Sequence, residues 1–139
     1  MKSVEFNPGV LVVAAPQIEA AAAAASLQGI PVFTLVTGVG GDHGAFFDAV
    51  RTTLPLDPPL IGKCSWDALS DSLFGGLYAL GAKRVLLIWM DAPEMAAVDQ
   101  SGINIALEVL ADVVAMLADP RYAQDRLCSV TVLLSGSEG

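Results

Sequence analysis

Residues 65–80, SWDALSDSLFGGLYAL, carry two stripes when read at helical period. Trp66, Leu69, Leu73, Leu77 and Leu80 recur every three or four residues, the spacing of a helix face buried against a core. Ser65 stands directly before them, where its hydroxyl can accept a bond from an unpaired backbone N–H and start the helix. About a quarter-turn round lies a second stripe of Asp67, Asp71, Phe74 and Tyr78, with Ser70 between the two. Two carboxylates one turn apart, followed by two aromatics, suit a basic partner. A plainer reading fits the same residues. Asp67 lies in the first turn, where the helix dipole favours a carboxylate, Asp71 can be solvated, and Phe74 can turn inward.

Elsewhere short apolar runs alternate with helical patterns. Residues 10–14 are β-branched enough for a strand, and Pro16 then opens an alanine-rich helix over 17–27 that Gly29 ends. So many alanines make a thin helix, able to lie close on a sheet. Residues 31–37 (PVFTLVT) barely alternate, as expected of a strand buried on both faces. Gly38-Val39-Gly40-Gly41 is a loop, and Asp42 can cap a helix over 43–54 with Ala45, Phe46, Ala49 and Val50 inward. Pro55 and Pro58-Pro59 forbid continuation, so 56–64 must be an ordered loop leading into the two-striped helix. Residues 84–90 (RVLLIWM) form another buried strand, and 91–99 a turn with one short helical piece. A longer helix starts at Ser101 or Gly102, runs through Ile103, Leu107, Leu110, Val113, Val114 and Leu117, and stops at Asp119-Pro120. A polar loop over 121–127 leads to the last strand, 128–135. The expectation is a single α/β domain: a small three- to four-stranded parallel sheet flanked by helices.

Composition sharpens the partner question. Of 139 residues 54% are hydrophobic and only 16% charged, a globular balance, and the net charge is −8. So acidic a surface repels nucleic acid and suits a basic protein. Between positions 85 and 120 stand six acids and no base. Cys64 and Cys128 lack metal-ligand spacing and His43 stands alone, so no metal site and no cofactor are expected, and both thiols read as free in a reducing compartment. The apolar start loosely imitates a signal peptide, but Glu5, Pro16 and Glu19 interrupt it. The expected location is cytoplasmic. No apolar run reads as long enough to span a bilayer, so no membrane partner is expected.

The motif Trp66-Asp67-Ala68-Leu69-x-Asp71-x-Leu73, placed after a Pro/Gly loop, resembles the barstar family of ribonuclease inhibitors. The last strand, CSVTVLLS at 128–135, is similar to that family's final strand, and the order of elements agrees from about residue 30 to 135. Residues 1–29 then form an N-terminal extension, a strand plus an alanine-rich helix. The resemblance implies a non-enzymatic protein that plugs the active site of a small basic ribonuclease with its acidic helix and preceding loop. Asp71 matches the carboxylate that occupies the nuclease's phosphate pocket, and Asp67 its neighbour one turn earlier. Partner-binding residues would be Asp67, Ser70, Asp71 and Phe74, with Gly62 and Lys63 from the loop. Three departures stand out. Ser70 replaces a tryptophan, Gly76 replaces an aromatic, and the acid expected on the next long helix falls at Ala115, with Asp112 or Asp119 as substitutes.

Two other readings remain. One is a non-inhibitory interaction module, self-associating or not, in which Gly75-Gly76 lets a partner approach closely. The other is a nucleotide-binding enzyme, because a strand, Gly38-x-Gly40-Gly41 and a helix resemble a dinucleotide fingerprint. Its third glycine would fall at position 43, which is His, and no acid closes a following strand. A glycine turn is the simpler account of that loop. His43 with Cys64 as a thiol nucleophile has nothing to bring the two together.

Overall fold

The computed structural model describes residues 6–60 and 65–136. Strand β1 (Gly9–Val13) leads to helix α1 (Ala15–Leu27) and strand β2 (Val32–Leu35). Helices α2 (His43–Thr53) and α3 (Trp66–Leu80) precede β3 (Arg84–Trp89). Then come α4 (Ala92–Val98), α5 (Gln100–Leu117), the single turn α6 (Pro120–Ala123) and β4 (Ser129–Ser135). The four strands form one sheet in the order β1-β4-β3-β2, every pair parallel, and Leu86 of β3 sits between Val32 of β2 and Thr131 of β4. The expected parallel α/β sheet is therefore present, with 9–13 as its fourth strand.

The central strands β3 and β4 read as apolar runs because both faces are covered, whereas β2, expected to be buried on both faces, is an edge strand with Thr34 exposed. On the front face α2, α3 and α5 enclose Leu35, Val85, Leu87, Trp89, Val130, Val132 and Leu134. On the back, α1 sets Ile18, Ala21 and Ala25 against Leu86, Ile88 and Leu133. Alanine at two of those three contacts keeps the helix thin. Its start is tied by Gln17, whose Oε1 accepts from the Ala14 N–H at 2.9 Å, and its end by Gly29 at φ 71° with the Ile30 N–H on the Ala25 carbonyl at 2.8 Å. Asp42 caps α2 as expected, accepting from the Gly44 and Ala45 N–H groups. The inward residues of α2 are Phe46, Phe47, Ala49 and Val50; Ala45 is only part-buried, and Phe47 takes the place expected for it.

One sequence expectation needs correction. Helix α5 has eighteen residues of mean hydropathy 1.4, so by length and composition it could span a bilayer. It is apolar because it is a core helix. Ile103, Ala106, Val109, Leu110, Val113, Val114 and Leu117 are buried, while Asn104, Glu108 and Asp112 stay exposed.

Candidate acidic interaction face

Helix α3 is fastened at both ends and along one flank, which fixes the direction of its outer stripe. Ser65 Oγ accepts from the Ala68 N–H at 3.3 Å and Gly81 closes the helix in the left-handed region. At the first turn Trp66, half-buried, lies 4.8 Å ring to ring from Phe47 and 6.0 Å from Phe46, which in turn packs on Trp89 at 4.9 Å. Leu69, Leu73 and Leu77 are at most 1% exposed, each contributing roughly 1.5–3 kcal/mol by burial. Leu80, expected on the same stripe, is exposed because the buried run ends one turn earlier.

The flank explains the two glycines. Asp57 donates its N–H to the Ser72 carbonyl at 2.9 Å, drawing the proline loop against α3. A Cβ on Gly75 would land on the Asp57 carbonyl oxygen, and one on Gly76 on that of Pro55. Gly75-Gly76 thus serves a close approach by the chain's own loop, not by a partner. Position 76 is buried, so the expected loss of an aromatic anchor there does not apply to this packing.

On the outer stripe Asp67 and Asp71 are exposed, and Ser70, Phe74 and Tyr78 are half-buried. Among the described residues no group bonds to either carboxylate. Phe74 and Tyr78 stack at 5.7 Å with 11° between their planes. The Arg126 guanidinium lies 4.5 Å from the Tyr78 ring centre and donates to the Tyr78 carbonyl at 3.0 Å. That cation arrives from the loop before β4, and no local sequence signal announces it. Gly62 and Lys63, expected to flank the motif, lie outside the described residues, as does Cys64; Cys128 is a free, buried thiol whose pKa burial pushes up.

Beside Asp71 a cleft of about 520 Å³ opens between α3, α5 and α6, bounded by Ser70, Asp112, Ala115, Met116, Asp119 and Tyr122. Of the carboxylates weighed for the second helix, Asp119 is already engaged. It caps α6 through the Arg121 N–H at 2.9 Å and takes the Arg121 guanidinium at 2.8 Å, which together hold its carboxyl below the usual range. Asp112 is exposed with no partner among the described residues, one side chain from Ala115 in the same cleft.

The glycine loop has a different occupation. Asp91, buried after β3, accepts from the Thr37 N–H (2.9 Å), the Thr37 hydroxyl (3.1 Å) and the Gly38 N–H (2.8 Å). At the start of α2, Asp42 takes the Gly44 and Ala45 N–H groups. Asp99 takes the His43 N–H at 3.0 Å and its Nδ1 at 2.9 Å while also capping α5 through Gly102. These bonds hold the Asp99 carboxyl down to about 2 from 3.8, the His43 side chain being the largest cause. The amides of Thr37, Gly38, His43, Gly44 and Ala45, which flank the loop and open α2, are therefore already bonded to three carboxylates of the chain itself.

A family model described as Barstar (barnase inhibitor) matches residues 31–132, running from just before β2 into β4. No curated protein and no solved structure matches the chain.

Proposed function

The chain belongs to the barstar family, and from that premise we propose that it inhibits a basic ribonuclease by presenting the outer face of α3 to the enzyme's cationic active site. The observation that carries this reading is Asp71, an exposed carboxylate without a cation partner among the described residues, on a helix fixed at both ends. A rigid anion costs little ordering on binding, and arginines or lysines shaped to hold phosphate accept a carboxylate by charge-assisted bonds. Asp67 supports it from the previous turn, with Ser70 and Phe74 at the margin, and Asp112 offers a second anion across the cleft. Binding a protein is the whole activity in this reading, and no step of it is enzymatic. Against a nucleotide site stands the engagement of the Thr37, Gly38, His43, Gly44 and Ala45 amides by carboxylates of the chain itself.

One observation favours the non-inhibitory module as a second reading: Ser70 and Ala115 are small, so a recess lies beside Asp71 where an aromatic anchor would project. Titration against candidate basic ribonucleases, read as residual RNA cleavage, separates the two. Inhibition is expected, with Asp71→Ala weakening it by roughly 2–5 kcal/mol because the enzyme's buried cations are left without an anion. Asp67→Ala should cost less. Raising salt should slow association with little effect on dissociation. Undiminished cleavage against every basic ribonuclease tried, or full potency in Asp71→Ala, would contradict the proposal.

A further inference from the structure

Among the described residues strand β1 is an open edge of the sheet, hydrogen-bonded to β4 alone. Natural edge strands are guarded by charge, proline, a bulge or a covering element, because their free N–H and C=O groups can pair with another chain. The sequence GVLVV carries no charge, proline or bulge, and α5 packs on its strand as it does on β4. No charged residue stands between Phe6 and Ile18, the pairing from Gly9 to Val13 is unbroken, and α1 packs chiefly on β2, β3 and β4. Leu11 and Val12, which point to opposite faces, are 51% and 68% exposed. Next to Val12 the front face dips into an apolar recess lined by Ala92, Pro93, Ala96, Ile103 and Leu134.

Charge selects the occupant. A basic partner gains nothing from a strand without carboxylates. Two copies of net charge −8 repel wherever their acidic faces meet, and the uncharged stretch 6–18 is where they can approach at least cost. A strand turned antiparallel about a two-fold axis is its own complement, and such a contact is closed. We propose that a second copy of this chain covers β1: the two β1 strands pair antiparallel across a two-fold axis, the sheets join, and each Val12 lies at the apolar recess. This contact is separate from the α3 face, so Asp71→Ala should leave it intact.

Light scattering on the full chain at rising concentration tests it. The expected mass is twice the 14.4 kDa of one chain, with the dimer favoured by salt, which screens the mutual repulsion. Val12→Lys and Leu11→Lys should each return the single-chain mass with an unchanged circular dichroism spectrum. Val98→Lys, 53% exposed on α4, should keep the doubled mass. Should one lysine variant fail to fold, the other carries the test from the opposite face. A single-chain mass at every concentration, a dimer that survives both β1 substitutions, or assembly beyond two copies overturns the proposal.

Discussion

Gly76 shows how a residue can look like a lost binding group while serving the fold. Its hydrogen leaves room for the Pro55 carbonyl, so Gly76→Ala should destabilise by about 1–3 kcal/mol or more, the usual range for overpacking, as read by urea unfolding. A larger aromatic there should unfold the loop contact instead of restoring affinity. Asp99 acts at the same scale on a different variable. One carboxyl joins the starts of α2 and α5, and its folded pKa of about 2 lies below the ordinary 3.8. A depressed carboxyl stabilises the fold at pH values above its unfolded pKa, and that contribution fades as pH falls towards the folded one. Thermal midpoints should therefore drop between about pH 4 and pH 2 more steeply in the natural chain than in Asp99→Asn. Parallel curves would show that Asp99 is not the group responsible.

At the scale of elements, most of the molecule could be read from hydrophobic spacing. Parallel strands covered on both faces appear as apolar runs, and the α3 stripe at three- and four-residue intervals named Leu69, Leu73 and Leu77 as core. Leu73→Ala should accordingly cost roughly 2–5 kcal/mol in denaturant unfolding. Illegible were the contacts between distant segments. Nothing near Gly75-Gly76 says that a proline loop will press on it, and nothing near Tyr78 says that Arg126 will arrive. The site divides along the same line. Asp67 and Asp71 were legible because they belong to one helix, whereas the cleft with Asp112 exists only once α5 lies beside α3; Asp119 is set apart locally, by the α6 turn that brings Arg121 onto its carboxylate.

For the whole molecule, the segment before residue 31 lies outside the matched family region yet supplies the fourth strand and the back cover of the sheet. Phe6 and Asn7 add to it, their carbonyls accepting from the Ser129 and Thr131 hydroxyls at 3.1 and 2.7 Å. Deleting residues 1–28 should uncover Leu86, Ile88 and Leu133, and the truncated chain should bind a hydrophobic dye and unfold at a lower temperature. An unchanged midpoint would mean that α1 contributes little. The strand order carries a further consequence for how the chain is made. Of the four described strands β1 is made first, and its neighbour β4 is made last. Until residues 129–135 emerge, GVLVV has no sheet to join, and closing so long a loop is among the slowest contacts a domain makes. Within this domain the first-made strand therefore waits for the last-made one, and the sheet is completed only when residues 129–135 are in place.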